Sequence, residues 1–384
     1  MNQKSENKKI VNVFALASFL NDFGSDMIYP IWPLFVTKIL NANMAILGFI
    51  DGLGDAIVSL SQAFSGYLSD KLRKRKIFIW TGYLFGSLSR LGYGLSLTWH
   101  HLIPFKILDR FGKIRSAPRD AIVADISTRK NRGRNFGLLR TMDNLGAVCG
   151  IFSCIILFSL LGYRNLFILA SIPSIVSTLL ILFYIKERKT RKIHKGFSLK
   201  GLSKNFNFFL LSNSIFSLGF FSYSFLLIYA EEFGFQTSFI PVLYLIFTVV
   251  ASLMSLVFGK LSDKLKRKTV LSLSYILFAL MCLGFIYVKS YFEIIILFVL
   301  HGLHLAARIP VQTAFVSELS SPKYRASSLG IFQMITGLCA LPASSIAGFF
   351  WVLFGKVAPF YFSLFLTSLA LFLLMFVKER TNNF

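Results

Sequence analysis

Apolar stretches of about twenty residues recur along this chain, separated by short polar segments. A hydrocarbon core of roughly 30 Å takes about 20 apolar residues per helix, so each stretch predicts one membrane-spanning helix. Six of them cover residues 10–37, 43–68, 76–97, 100–125, 135–162 and 164–185, and six more cover 206–229, 238–260, 269–288, 291–316, 326–353 and 358–377. The only long hydrophilic segment, 186–205, falls at the midpoint. The pattern predicts an all-α membrane protein of twelve transmembrane helices. Residues 1–185 would form one six-helix bundle and 206–384 a second, joined by a cytoplasmic linker at 186–205.

Composition agrees with the pattern. Hydrophobic residues make up 55% of the 384 positions, charged residues only 15%, and the mean hydropathy is +0.65. A soluble domain carries roughly 25% charged residues, and one built from this chain would leave too much apolar surface in water. The apolar run behind the polar N-terminus holds Asn21, Asp22 and Asp26 and has no small-residue cleavage site. It is expected to be a retained first helix rather than a signal peptide. Cys149, Cys154, Cys282 and Cys339 lie in apolar runs without CxxC or CxxH spacing. They predict neither a disulfide framework nor a zinc site, and no metal or cofactor is expected.

The net charge of +24 raises the question of a nucleic-acid partner, which the position of the charge answers. With both termini cytoplasmic, the tails and every second loop hold 29 of the 41 Lys and Arg residues. The outer loops hold four: Lys38, Arg164, Lys289 and Lys356. This asymmetry is the positive-inside signature, so the excess charge is topological and no nucleic acid is expected. The linker, rich in Lys and Arg, is expected to lie partly on the anionic inner leaflet.

The two halves repeat. GYLSDKLRKR at 66–75 returns as GKLSDKLKRK at 259–268, and the same shift carries Arg132 to Arg325, Gly137 to Gly330 and Ala147 to Ala340. Parallel repeats of this kind suit a transporter that rocks one half against the other. Gly66 through Arg75 resembles the loop 2–3 signature of the major facilitator superfamily, Gly-x-x-x-Asp-Arg/Lys-x-Gly-x-Arg-Arg/Lys, with Arg73 at its second glycine. Arg110 with Lys113 and Arg115 resembles the family's helix 4 arginine motif. The segment Pro118–Asp125 with Arg132 and Gly133 is similar to a bacterial, efflux-type subgroup. Gly137, Gly146 and Gly150 keep the spacing of the helix 5 antiporter motif, with Ile151 at its proline. The resemblance spans essentially the whole chain. It implies the superfamily's fold of two pseudo-symmetric bundles, a bacterial inner-membrane location and a chain that works as a monomer.

Alternating access needs a gate contact that can be made and broken. Asp70 is expected to face the N-terminus of helix 11 near Ala326–Ser328, where a carboxylate is stabilised by roughly 0.3–1 kcal/mol. Arg73 or Arg75 is expected to pair with Asp125, and Asp263 with Lys266 or Arg267 to repeat that pairing beside Gly259. The alternative is a solvated positive loop, which would not require Gly66 and Asp70 to recur.

Charges inside helices are expensive and mark function. Asp22 and Asp26 on helix 1, and Asp51 and Asp55 on helix 2, are each spaced i,i+4 on one face. Helix 4 adds Asp109, Arg110 and Lys113, helix 5 adds Arg140 and Asp143, and helix 10 adds His301, His304 and Arg308. Helix 7 offers Asn213 and Tyr223 as polar handles. The family's cavity is lined by helices 1, 4, 7 and 10, so the resemblance implies that Asp22, Asp26, Arg110, His304 and Arg308 converge there. Three readings stay open: a proton-loading acid beside a bound small-molecule substrate, ligation of a cation or metal chelate, and structural ion pairs. Asp51 and Asp55, with Gly48 and Gly52 at small-xxx-small spacing, fit close helix packing. The favoured function is proton-coupled efflux of a small organic solute. Import of an organic acid, siderophore or metal chelate is the alternative within transport, and a non-transporting receptor or scaffold the alternative of another class. No GxxxxGK[ST] segment supports direct ATP drive. An enzyme is not expected, because His100 and His101 lie in an outer loop without a partner nucleophile.

Overall fold

A computed structural model describes residues 3–72, 74–128, 131–187, 203–320 and 325–379, with the side chains of residues 3, 4, 70 and 325–327 outside that description. Every regular element among these residues is helical. The first part of the chain forms α1 (Gln3–Asp26), α2 (Trp32–Leu34), α3 (Met44–Leu72), α4 (Lys76–Leu95), α5 (Trp99–Phe111), α6 (Ser116–Ile126) and α7 (Arg132–Tyr184). The second forms α8 (Lys204–Gly219), α9 (Ser224–Phe233), α10 (Ile240–Lys264), α11 (Arg267–Tyr287), α12 (Tyr291–Leu319), α13 (Arg325–Leu338), α14 (Ala340–Phe354) and α15 (Ala358–Met375).

Several expected spans are broken helices, and the breaks follow from missing backbone donors. Pro30 cannot donate to the carbonyl of Asp26, where α1 stops. Pro118 leaves the carbonyl of Ile114 without its helical partner, inside the tight 3₁₀ turn Gly112–Arg115 between α5 and α6. Pro342 does the same at Leu338, the end of α13. In α7 the 53 residues hold two spans, because Gly162 turns the chain at φ 68°, a conformation that costs little only without a β-carbon. Among the described residues eight stretches are long and apolar enough to cross a membrane, Arg132–Tyr184 being one. The remaining spans, α1–α2, α4 and α5–α6, carry much of the intramembrane charge described below.

The chain divides into two compact units, Met1–Ala42 with Ile57–Gly196, and Asn43–Ala56 with Phe197–Phe384. The division differs from a plain cut at the linker, because residues 43–56 pack with the second unit. Glycines explain the association. A β-carbon at Gly48 would strike the carbonyl of Ser344, one at Gly52 the carbonyl of Ala340, and one at Gly348 the carbonyl of Met44. Small residues let membrane helices approach to backbone contact, where dispersion rather than hydrophobicity holds them.

In the first unit, α1 lies along α7 with Phe14, Ala17, Leu139 and Ile181 in the core. Gly146 and Gly150 of α7 bring its backbone against the carbonyls of Phe19 and Phe23. In the second unit the core is aromatic: Phe216 stacks on Tyr275 with ring centres 4.1 Å apart, and Phe285 on Phe360 at 4.9 Å. Phe183, Phe292, Phe354 and Phe365 are at least 67% exposed, which suits side chains that meet lipid tails rather than water.

Candidate functional site

The first unit contains a polar cavity of about 160 Å³. Gly82 and Gly112 create it, because a β-carbon on either would collide with the carbonyl of the other. α4 therefore presses directly on the 3₁₀ turn, and the turn presents Lys113 and Arg115 to the cavity. α1 supplies Ser18, Asn21 and Asp22, and α7 supplies Arg140 and Asp143. Gln62 of α3, Tyr83 of α4, and Ser116 and Arg119 of α6 complete the lining. Irregular backbone within a membrane span is tolerated where it borders such a cavity, since water or ligand can satisfy its polar groups.

The cations differ in how far they are already engaged. Arg119 donates from Nη1 to Ser18 Oγ at 2.6 Å and from Nε to Asp120 Oδ1 at 3.0 Å, and its Nη1 lies 3.9 Å from Asp143. Arg140, whose side chain is 71% exposed, approaches Asp143 Oδ2 at 3.5 Å. Arg115 donates to the Gly112 carbonyl at 2.9 Å and lies over the Tyr83 ring at 4.9 Å. Lys113 makes no hydrogen bond or ion pair with any described residue. Asp22 accepts from Asn21 Nδ2 at 2.9 Å.

The other expected residues of this unit lie apart from the cavity lining. Asp26 ends α1 and is half-buried. Asp109 is buried and accepts from Ser89 Oγ at 3.4 Å, with Arg110 Nε 3.6 Å from its other oxygen. Arg110 donates to Tyr29 Oη at 3.3 Å. Several buried cations are not singled out by the sequence as site residues. Arg90, 2% exposed, donates to Ser25 Oγ at 2.6 Å, and Lys106, equally buried, lies 4.0 Å from the Trp32 ring centre. With Arg115 and Arg119 they belong to the small set of basic residues that the span pattern places inside helices.

Each unit repeats one loop clamp. In the first, Arg75 Nη1 bonds Asp125 Oδ2 at 2.6 Å, and Glu187 accepts from the backbone N–H of Arg75 at 2.8 Å and of Lys76 at 3.1 Å. In the second, Arg267 pairs with Asp263 and with Glu318 at 3.0 Å, and Glu379 accepts from the Lys268 N–H at 2.7 Å. Lys76 Nζ donates to the Leu182 carbonyl, and Lys268 Nζ to the Met375 carbonyl. Asp263 takes Arg267; Lys266 is exposed and makes no ion pair among the described residues. Arg73 and the Asp70 side chain, with its expected contact near Ala326, lie outside the described residues. Gly66 faces only an ordinary contact with Ala117, and nothing lies within 4 Å of a β-carbon at Gly259.

In the second unit, Asn213 is fully buried and accepts from Tyr275 Oη at 2.9 Å and Gln312 Nε2 at 2.7 Å. Tyr223 ends the break between α8 and α9 and packs edge-on against Tyr244. His304 Nδ1 lies 2.8 Å from the Ser274 carbonyl, to which it donates, while His301 sits among Phe220 and Phe247 with Nδ1 unpartnered. Arg308 stacks on Phe220 at 4.1 Å and Phe216 at 5.3 Å. Asp51 is 5% exposed and accepts from Ser222 Oγ at 2.8 Å and Ser224 Oγ at 2.5 Å; Asp55, one turn on, is exposed. Among the described residues no group of three or more His, Cys, Asp or Glu is placed to hold a metal ion.

The sequence profile described as Major Facilitator Superfamily matches residues 14–227 and 208–383. The chain belongs to that superfamily. Over 372 residues this member is 38% identical to an uncharacterized MFS-type transporter of Methanocaldococcus jannaschii, covering 93% of this chain and 92% of the relative. It is 24% identical over 400 residues to Multidrug resistance protein 2 of Bacillus subtilis, with 99% and 98% covered. The crystal structure of the nucleoside transporter NupG superposes with a TM-score of 0.73 at 16% identity, covering 98% of each chain, and so shares the fold. The chain is thus a multi-pass membrane transporter of the twelve-helix, two-bundle superfamily fold, not an enzyme.

Proposed function

We propose that this superfamily member is a secondary transporter that exports a small organic solute in exchange for protons, by alternating access. It works as a single chain in the bacterial inner membrane with both termini in the cytoplasm. The observation that carries the reading is the cavity where Asp22 and Asp143 share a small polar space with Lys113, Arg115, Arg119 and Arg140. A proton taken up by either carboxylate changes the charge that a solute meets in this space. Solute and proton then affect each other reciprocally, which is what coupling requires. The concentration of Lys and Arg in alternate loops supports the orientation. Similarity to Multidrug resistance protein 2 supports export as the direction.

The test is flux in proteoliposomes under an imposed pH gradient. Wild-type protein moves solute only when the gradient is present. Asp22→Asn and Asp143→Asn each weaken the gradient dependence, and the double variant loses it while keeping solute exchange. Gradient-driven flux that persists unchanged in the double variant overturns the coupling role.

A further inference from the structure

We infer that the cavity of the first unit binds the oxyanion of its solute, a carboxylate or a phosphate, with Lys113 as the leading charge partner. The inference rests on the transport reading and names the chemical class of the solute. Four cations line the cavity against two carboxylates. The carboxylates are not distributed evenly among the cations. Asp143 faces Arg119 and Arg140, and Asp120 takes a second share of Arg119. Asp22 is held by Asn21. Arg115 commits one nitrogen to the Gly112 carbonyl and its face to Tyr83, leaving further N–H donors uncommitted. Lys113 makes no hydrogen bond or ion pair among the described residues, and the Asp22 carboxylate attracts it only from a longer distance.

An ammonium within a membrane span is costly unless a partner or water meets it. The 3₁₀ turn that presents Lys113 depends on the Gly82–Gly112 backbone contact, so this placement is built into the packing. The rest of the lining is polar: Gln62 and Ser116 can donate to an anion, while Ser18, Asn21 and Tyr83 are engaged with neighbours in the cavity wall. Size narrows the class further. A cavity of about 160 Å³ holds about five waters at roughly 30 Å³ each. Pockets for whole drug-sized ligands run to about 300–1,000 Å³. The space therefore fits one carboxylate or phosphate group, and the remainder of the solute lies beyond it. A cationic solute would meet net repulsion from the same lining.

The experiment uses the full-length protein, purified in detergent and also reconstituted in vesicles, with succinate, inorganic phosphate and ethidium as probes. Succinate or phosphate is expected to bind saturably and raise Tm, with succinate favoured if the group is a carboxylate and phosphate if it is a phosphate. Lys113→Gln weakens that binding at least tenfold, Lys113→Arg restores most of it, and the exposed control Lys289→Gln leaves it unchanged. Arg115→Gln provides a second reading if Lys113→Gln fails to elute as a single species. Binding of ethidium alone, binding of no probe, or anion affinity indifferent to both substitutions overturns the inference. Lys113-dependent anion binding without gradient-driven flux keeps the chemical class and removes the coupling proposal. Gradient-driven ethidium flux without anion binding does the reverse.

Discussion

Arg75 and Asp125, fifty positions apart in sequence, meet at 2.6 Å, the arginine 8% exposed and the aspartate 63%. In the second unit Glu318, the repeat counterpart of Asp125, is met at 3.0 Å by Arg267, one position before the counterpart of Arg75. In both units a second carboxylate, Glu187 or Glu379, accepts from backbone N–H groups where the next helix begins. That position favours an acid because the helix dipole and unsatisfied N–H groups both point at it. The repeated signature is therefore a repeated piece of chemistry: a loop cation tied to the end of one helix while an acid from the far end of the unit caps another.

Removing Asp125 takes a 2.6 Å partner from the nearly buried Arg75 guanidinium. The aspartate's own exposure limits the loss, so Asp125→Ala is expected to cost about 1–2 kcal/mol, seen as a lower Tm in detergent. A double-mutant cycle with Arg75→Ala should give a coupling of about 0.5 kcal/mol or more. Identical melting of Asp125→Ala and wild type would show the contact to be idle.

Glycine positions separate packing from signature. Gly82→Val places atoms where the Gly112 carbonyl and Arg115 already lie, so the α4 contact with the 3₁₀ turn must open. Its expected outcome is loss of the monodisperse peak on size exclusion. Gly259→Ala, in the repeated signature but with open space around it, should elute and melt like wild type. If Gly82→Val behaved as well as Gly259→Ala, the backbone contact would not shape the cavity.

Much of the fold is legible in the sequence because bilayer thickness sets helix length. The breaks within spans are not: Pro30, Pro118 and Pro342 coincide with them, but Pro104, Pro173 and Pro310 lie inside helices that continue, because neighbouring groups can absorb a lost donor. The association of residues 43–56 with the second unit is not legible, because it depends on bare backbone at Gly48 and Gly52 meeting carbonyls nearly 300 positions away. Within the candidate site, Asp22, Lys113, Arg140 and Asp143 stand out as charges inside apolar runs. Arg115 and Arg119 are equally visible as basic residues inside the fourth span, but no pattern assigns them Tyr83 or Ser18 as what they meet. Arg90 and Lys106 are visible as intrahelical cations, but no pattern names Ser25 or Trp32 as what they meet.

Asp51 holds two hydroxyls at once, from Ser222 and Ser224 at the break between α8 and α9. Asp51→Ala strands the buried Ser224 hydroxyl, while Ser222 Oγ keeps Ser224 Oγ at 3.2 Å as an acceptor, a loss of about 1–3 kcal/mol. Asp51→Asn keeps an acceptor oxygen and should lose less. Limited proteolysis and Tm measure the difference. Equal behaviour of the two variants would mean that the hydroxyls find other acceptors and that glycine packing alone fastens residues 43–56.

Arg308 offers the sharpest separation of stability from function. Its guanidinium stacks on Phe220 and Phe216, its Nε is buried without a hydrogen bond, and it makes no ion pair among the described residues. Arg308 is half-buried, and of its nitrogens only Nε is both buried and unpartnered, so a cation–π gain of about 0.5–2 kcal/mol is offset by a buried-donor cost of about 1–3 kcal/mol. The side chain therefore adds little to stability, and Arg308→Gln is expected to melt at the same temperature as wild type or higher. A charge inside a span that adds little to stability marks function. Flux through Arg308→Gln should therefore fall at least tenfold while Tm holds or rises, with Arg308→Lys intermediate. A variant that loses stability and keeps its flux would assign Arg308 to packing.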